Sequence, residues 1–293
     1  MKPFAYIVPS SVEEACAALA ASDGPVKALA GGTDLLVQMK RGRLQPKTLV
    51  SLKDIPGLSF VRLEKDGSLS IGAATPLALV ETLPEVKEKF PAVAEAAGWI
   101  GSVQVRSRAT VGGNLCNAAP SADMAPILVA YGAVGTISDG RAERSVPLEE
   151  FFVGPGQTVL RSGELLTAVT VPRAPSGSFA RYERAYRSGM DIATVGFGML
   201  VSFSPDSTVV QDARIVLGAV APIPMRARES EAMLTGRSLD EALIARVSAK
   251  AAEEARPISD VRSSQDYRKT LVQVVSRRAL TAAQSWIEKG GRG

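Results

Sequence analysis

Two glycine-rich segments of the sequence combine residue types that bind anions. The first is Ala30-Gly31-Gly32-Thr33-Asp34, and the second is Thr110-Val111-Gly112-Gly113-Asn114. Because glycine lacks a Cβ and readily adopts positive φ, consecutive backbone N–H groups in such turns can converge on one anion. Together the segments predict a grip on a diphosphate, although a Gly-Gly pair alone is also typical of a simple tight turn.

The elements predicted around the first segment suit this chemistry. Residues 26–30 are typical of a short buried strand, and residues 34–41 of a helix that ends at Gly42. A strand, a glycine turn and a helix form a phosphate-binding arrangement, but neither a Gly-x-Gly-x-x-Gly nor a P-loop pattern is present. Asp34 would repel a phosphate unless it points away, and it is equally well explained as the cap of the helix.

The second segment is also predicted as a turn between a strand and a helix. Residues 115–120 are too rich in Asn, Ala and Pro for regular structure, and a helix is predicted from Ser121 to about Tyr131. Asp123 then lies in the first helical turn, where a carboxylate either favours the helix dipole or contacts a ribose or ribityl hydroxyl. Residues 146–156 are predicted to form a surface loop.

The order of the predicted elements divides the chain in two. Residues 174–178, Ala-Pro-Ser-Gly-Ser, are the best linker candidate. Three strand-like runs with short turns follow it and indicate an antiparallel sheet, and three helical segments come after them. We therefore expect one domain over residues 1–175, with subdomains of about 1–57 and 58–175, and a second domain over residues 176–293.

Composition excludes several classes of function. The 34 basic and 30 acidic side chains are scattered along 293 residues, which is no footprint for nucleic acid. The chain has no histidine, so histidine acid-base chemistry, histidine metal ligation and a histidyl-flavin bond are excluded. Two cysteines make neither a disulfide framework nor a metal cluster. Without an apolar span or a signal sequence, we expect a cytoplasmic protein with no membrane span.

The order and spacing of seven motifs resemble one family, the FAD-binding subunits of molybdenum hydroxylases, which include the medium subunit of carbon monoxide dehydrogenase and the flavin domain of xanthine dehydrogenase. The motifs that carry the resemblance are Pro3-Phe4-Ala5-Tyr6, Ala30-Gly31-Gly32-Thr33-Asp34-Leu35, residues 104–114, Pro120-Ser121-Ala122-Asp123, residues 151–156, Met190-Asp191-Ile192-Ala193 and Asp266-Tyr267-Arg268. The resemblance implies an α+β fold, with a two-part FAD-binding domain of the vanillyl-alcohol oxidase/PCMH type and a smaller C-terminal α+β domain that contains the antiparallel sheet. Some members have His-Ser in place of Thr33-Asp34, which bears on fine contacts only.

The resemblance also implies a set of residues that bind FAD without a covalent bond. Both glycine segments would hold the diphosphate, Ile100 and Leu166 would pack on the cofactor, Asp123 would accept a hydrogen bond and Tyr186 would lie near the flavin ring. The expected cofactor-binding residues are Lys27, Ala28, Leu29, Ala30, Gly31, Gly32, Thr33, Asp34, Ile100, Thr110, Val111, Gly112, Gly113, Asn114, Asp123, Leu166 and Tyr186. No residue is expected to be a catalytic acid or base or a metal ligand.

The family further implies partners. A large subunit would carry a molybdopterin cofactor, a small subunit would carry two [2Fe-2S] clusters, and the chains would form a dimer of heterotrimers. FAD on this chain would pass electrons to an external acceptor, with NAD, a quinone and oxygen all left open, as is the substrate. Two other classes of function remain: a free-standing FAD oxidoreductase with its own small substrate, and a basic interaction module whose glycine pairs are only turns.

Overall fold

The first part of the chain builds a small parallel sheet that ends at the first glycine segment. In the computed structural model, which describes residues 1–21, 24–205 and 207–291, its three strands lie in the order β1-β3-β2. Its elements are β1 Ala5–Ile7, α1 Val12–Ala20, β2 Val26–Leu29, α2 Leu35–Lys40 and β3 Thr48–Ser51. The Ser11 hydroxyl caps α1 by accepting a hydrogen bond from the Glu14 N–H at 3.1 Å. Because β2 and α2 flank Gly31-Gly32, the predicted strand, turn and helix are confirmed.

The second part folds helices onto an antiparallel sheet of strand order β4-β5-β10-β6-β7. Its strands are β4 Val61–Leu63, β5 Leu69–Gly72, β6 Val134–Ser138, β7 Glu143–Pro147, β8 Phe152–Gly154, β9 Gln157–Thr158 and β10 Leu165–Val171. Its helices are α3 Leu77–Thr82, α4 Pro84–Lys89, α5 Pro91–Gly98, α6 Val103–Arg106, α7 Val111–Cys116, α8 Met124–Ala130 and α9 Leu148–Phe151. Side chains of the sheet and of α3, α5 and α8 share one apolar core.

The C-terminal part is a second antiparallel sheet covered by helices, as the sequence predicted. The strand order is β11-β12-β13-β14. Its elements are β11 Ser178–Ala185, β12 Val195–Phe203, β13 Val210–Gly218, β14 Met225–Arg226, α10 Arg228–Leu234, α11 Glu241–Glu254 and α12 Gln265–Glu288. The α+β class is thereby confirmed, while the exact domain boundary near residue 175 stays a prediction.

Helix α8 joins the two halves of the chain. Every residue of α8 is buried, and β12, which it contacts, is buried along its whole length. Glycines on the sheet allow this contact, because a Cβ on Gly198 would lie 2.5 Å from the Pro126 carbonyl carbon and one on Gly218 would lie 2.7 Å from the Pro126 ring. The apolar faces of the helix and the sheet therefore exclude water from each other.

Three local predictions are wrong. The second glycine segment follows the helix α6 rather than a strand, and its glycines lie inside α7 because the Thr110 hydroxyl caps that helix. The helix predicted from Ser121 begins at Met124. Residues 146–156, predicted as a loop, include the end of β7, then α9 and β8, because β7 pairs with β6. Among the described residues, no helix is both long and apolar enough to cross a membrane.

Candidate cofactor-binding cavity

The two glycine segments, 80 residues apart in the chain, meet in the fold. A Cβ on Gly31 would lie 1.9 Å from the carbonyl oxygen of Arg108, just before the second segment. Gly112 is packed as closely on the end of β5, where a Cβ would lie 2.6 Å from that of Ala73. Gly32 has a φ of 74°, which side-chain-bearing residues rarely adopt. These glycines are needed for close approach and for the turn itself.

A cavity of about 890 Å³ opens between the segments. That volume lies within the range of pockets that hold cofactors and drug-sized ligands. All but two of the residues expected from the sequence line it: Lys27, Ala28, Leu29, Ala30, Gly31, Gly32, Thr33, Asp34, Ile100, Thr110, Gly112, Gly113, Asn114, Asp123 and Leu166. The fold thus brings together residues from β2, α7, β10 and the connections around them.

Val111 and Tyr186 are the two expected residues that do not line the cavity. Val111 is fully buried in the core, and its N–H donates to the carbonyl of Thr75 at 3.1 Å. Tyr186 is 42% exposed, and its ring packs on Trp99 with 5.1 Å between ring centroids. Tyr186 therefore stands beside the cavity rather than in its wall.

The first segment offers a group of free donors. Among the described residues, no acceptor is bound by the backbone N–H groups of residues 31–35, whereas the next N–H, that of Leu36, donates to the Gly32 carbonyl at 3.1 Å. Successive free N–H groups at a positive-φ turn form an anion-binding concavity. The first segment thus has the unbonded donors that the predicted diphosphate site requires.

The second segment works differently from the expectation. The N–H of Gly112 donates to the Ala73 carbonyl at 2.8 Å, and that of Gly113 to the Thr110 hydroxyl at 3.0 Å. With these donors already bonded, the segment contributes side chains instead. The amide oxygen of Asn114 is buried and has no hydrogen-bond partner among the described residues. Such a group carries a desolvation cost that a ligand hydroxyl or N–H would offset.

These features fit FAD, the cofactor that the family resemblance implies. The free N–H groups and the cations of Lys27 and Arg161 in the cavity wall suit a diphosphate, and the Asn114 amide suits a ribityl hydroxyl or a ring N–H. Asp34 is the N-cap residue of α2, where the capping interpretation placed it, but its side chain makes no cap hydrogen bond. Burial raises the pKa of the Asp34 carboxyl, which reduces its repulsion of a phosphate.

Asp123 is held by two neighbours inside the cavity wall. It accepts hydrogen bonds from the Tyr182 hydroxyl at 2.6 Å and from Nη1 of Arg184 at 3.3 Å. Burial raises its pKa from 3.8 to about 6, outweighing the opposite effects of Arg184 and Tyr182. It makes no side-chain cap bond to α8, so its partners lie in β11 rather than in the helix that follows it.

The sequence analysis missed other parts of the wall, two of which lie in connections between strands. Residues 160–164, between β9 and β10, line one side, and no residue pattern distinguished them in the sequence. Met190, Asp191 and Ile192 line another side. The Met190-Asp191-Ile192-Ala193 motif was part of the family resemblance, and this was the signal that could have placed it at the site.

Comparison with known proteins agrees with this geometry. Residues 2–174 match the family described as FAD binding domain in molybdopterin dehydrogenase, and residues 180–283 match the CO dehydrogenase flavoprotein C-terminal domain. The carbon monoxide dehydrogenase medium chain of Hydrogenophaga pseudoflava is 32% identical over 96% of this chain and 96% of its own length. The 6-hydroxypseudooxynicotine dehydrogenase complex subunit alpha of Paenarthrobacter nicotinovorans is 32% identical over 97% of this chain and 96% of its own length.

Solved structures give the same result. A chain of carbon monoxide dehydrogenase from Hydrogenophaga pseudoflava superposes with a TM-score of 0.92 at 34% identity, covering 97% of this chain and 99% of that one. Quinoline 2-oxidoreductase from Pseudomonas putida 86 superposes with a TM-score of 0.90 at 29% identity, with coverage of 97% and 99%. The chain therefore belongs to the FAD-binding medium subunits of the xanthine dehydrogenase and carbon monoxide dehydrogenase family, and it is an oxidoreductase flavoprotein subunit.

Proposed function

We propose that the cavity holds FAD non-covalently, with the residues that line it in the roles their chemistry suits. The free N–H groups of residues 31–35 bind the diphosphate, and Lys27 adds positive charge. Asn114 and Asp123 bind hydroxyl or N–H groups of the cofactor, and Ile100 and Leu166 supply apolar contact. The unpartnered amide oxygen of Asn114 is the observation that carries this assignment.

Bound FAD would accept electrons singly and release them as a pair. The protein's own part in that chemistry is to bind and orient the cofactor. We further propose that the electrons come from [2Fe-2S] clusters on a small partner chain, which is supplied by a molybdopterin-containing large chain, and that they leave to an external acceptor. The relatives support a shared complex, since they are named as a medium chain and as a complex subunit.

Substrate choice belongs to another chain in this proposal. Relatives of nearly equal identity, 31 to 32%, are named for carbon monoxide, glyceraldehyde, nicotine and caffeine, which range from a diatomic gas and a small aldehyde to nitrogen heterocycles. If the flavin subunit itself bound such different substrates, the subunits of these relatives would not have remained so similar to this chain. Assembly as a dimer of heterotrimers in the cytoplasm remains part of the proposal.

Anaerobic reduction of the flavin tests this function. The purified chain, loaded with FAD, is mixed with the compounds after which the relatives are named, and its visible flavin absorbance is followed. We expect no bleaching by any of them until the partner chains that purify with it are added. Bleaching of the isolated chain by a small substrate would instead favour a free-standing FAD oxidoreductase, and a chain that never binds FAD would favour an interaction module.

A further inference from the structure

One arginine outside the expected site links the cavity to a loop that forms part of its wall. Arg184 is the penultimate residue of β11, and its side chain is 1% exposed. The segment that connects β11 to β12, residues 186–194, is called the rim loop here. Three of its residues, Met190, Asp191 and Ile192, line the cavity. The position of this loop therefore determines part of the cavity's shape.

The Arg184 guanidinium bonds to three separate segments. Its Nη1 donates to the carbonyl of Trp99 at 2.8 Å and to Oδ1 of Asp123 at 3.3 Å. Its Nη2 donates to the carbonyl of Asp191 in the rim loop. Since Trp99 follows α5 and Asp123 precedes α8, one side chain ties two parts of the FAD-binding half to the loop.

Aromatic rings complete the same cluster. The guanidinium carbon lies 5.4 Å from the ring centroid of Trp99 and 5.0 Å from that of Tyr186, and the two rings pack on each other. A guanidinium at these distances is attracted to the faces of aromatic rings. Tyr186 begins the rim loop, so its ring and the Asp191 carbonyl are fastened by the same side chain.

The other polar contacts of the loop's middle part are internal. Nε of Arg187 donates to a carboxylate oxygen of Asp191 at 2.9 Å, and the Asp191 N–H donates to the Ser188 carbonyl at 2.9 Å. At the end of the loop, Nη1 of Arg268 donates to the carbonyl of Thr194 at 2.7 Å. Among the described residues, Arg184 therefore supplies the hydrogen bond that joins residues 186–192 to the rest of the protein.

We propose that Arg184 is a positioning residue: it holds the rim loop as a wall of the cavity and balances the charge of Asp123 with the same guanidinium. This inference rests on the proposed function, because it links the loop's position to FAD retention. The planar fork of arginine is required, since a lysine ammonium could balance Asp123 but could not span the carbonyls of Trp99 and Asp191. Loss of the fork frees the loop without removing the positive charge.

Limited digestion with trypsin tests this role, using the full chain and the variants Arg184→Lys and Arg184→Gln. The side chain of Arg187 lies in the rim loop and is 74% exposed, so cleavage after it reports opening of the loop. Without FAD, we expect both variants to be cut after Arg187 about ten times faster than the parent chain. Fragment masses distinguish this cut from one after residue 184.

The matched control is Arg181→Gln. Arg181 lies on the same strand, β11, but its partners Glu183 and Glu95 lie outside the cavity. We expect the control to be cut at the parent rate. Arg184→Lys separates local from global effects: it keeps the charge opposite Asp123, so its thermal midpoint should stay near that of the parent while its loop is cut faster.

FAD affinity is the second readout. We expect both Arg184 variants to bind FAD about ten times more weakly, because they lose hydrogen bonds made by a charged group. Equal cleavage rates for the parent and Arg184→Lys would overturn the proposal, as would faster cleavage that merely follows a lower thermal midpoint. If no form binds FAD, the proposed function fails, whereas the cleavage rates measured without FAD still decide the role of Arg184.

Discussion

Asn114 has a cost in folding and a proposed use in cofactor binding. Its buried amide oxygen has no partner among the described residues, and a buried polar atom without a partner costs about 1 to 3 kcal/mol. We expect Asn114→Leu to raise the free energy of unfolding of the chain measured without FAD by roughly 1 kcal/mol. The same change should weaken FAD binding by about ten-fold or more, because the leucine cannot bond to the cofactor.

Denaturant titration and a fluorescence titration with FAD measure the two effects of Asn114→Leu. The control is Gln45→Leu, which removes an exposed amide outside the cavity. A variant that binds FAD as tightly as the parent would show that the Asn114 amide faces the cavity without serving the cofactor. A substitution that raises stability but weakens FAD binding identifies a binding group, because removal of a structural group would lower stability.

Asp123 gives a prediction about pH. The pKa of the Asp123 carboxyl is raised from 3.8 to about 6. At a pH between these two values, the folded chain therefore holds a proton that the unfolded chain has released. The free energy of unfolding should therefore fall as the pH rises from about 4 to about 6, by up to about 3 kcal/mol from this group, and then level off. Carboxylates with lowered pKa values, such as Glu164, act in the opposite direction at lower pH.

Comparison of the parent chain with Asp123→Asn isolates that contribution. Denaturant unfolding is measured for both proteins from about pH 4 to about pH 7, without FAD. We expect the stability of the parent relative to the variant to decline across this window. A difference that stays constant would mean that the carboxyl of Asp123 titrates in the folded chain as it does in the unfolded one.

At the scale of the elements, the contact between the turn after β2 and the segment after α6 depends on Gly31. A Cβ there would meet the Arg108 carbonyl at 1.9 Å, so two backbone segments would have to separate. Since overpacking of this kind costs about 1 to 3 kcal/mol, we expect Gly31→Ala to lose about that much stability and most of its affinity for FAD. Chemical denaturation and FAD titration measure both.

Gly189→Ala is the control for Gly31→Ala. A Cβ at Gly189 meets no atom within 4 Å, and its φ is not in the positive region. Its stability should therefore stay within about 0.5 kcal/mol of the parent. Equal effects of the two substitutions would show that the approach of the glycine segments is not tight.

The same elements show how far the sequence could predict the site. The strand, turn and helix around Gly31-Gly32 are set by local preferences, and the sequence predicts them. The helix through Gly112-Gly113 goes against the low helix propensity of glycine. Its start is fixed by the Thr110 cap and by bonds to the carbonyls of Ala73 and Thr75, which only the tertiary fold supplies. The pairing of β11 with β12 places Arg184 beside Asp123, and no local pattern reports that contact.

At the scale of the whole molecule, α8 makes the two halves interdependent. Met124–Ala130 is apolar and buried, and the sheet of the C-terminal half covers it. We therefore expect one cooperative unfolding transition in calorimetry, despite the division suggested by the sequence near residue 175. FAD at about 100 times its Kd should raise the stability of that single transition by about 2.7 kcal/mol.

Two separated transitions would contradict this coupling. Gly198→Ala provides an independent check, because its Cβ would lie 2.5 Å from the Pro126 carbonyl carbon at the contact between the halves. We expect it to lower the midpoint of the whole transition by several degrees, as a loss of about 1 to 3 kcal/mol implies. An effect limited to part of the signal would mean that the halves unfold separately.

We propose that this chain carries FAD in the cavity between its two glycine segments. The most direct test is the absorption spectrum of the purified full chain after mixing with FAD and removal of the unbound cofactor, repeated for Gly113→Asp and Gln45→Asp. Gly113 lines the cavity, and a Cβ there would lie 2.8 Å from the Thr110 hydroxyl, whereas Gln45 is exposed and lies outside the cavity. We predict near-equimolar flavin in the parent and in Gln45→Asp and its loss from a folded Gly113→Asp, where the added carboxylate would take up part of the cavity. A folded parent chain that takes up no flavin, alone or with its partner chains, would contradict the account.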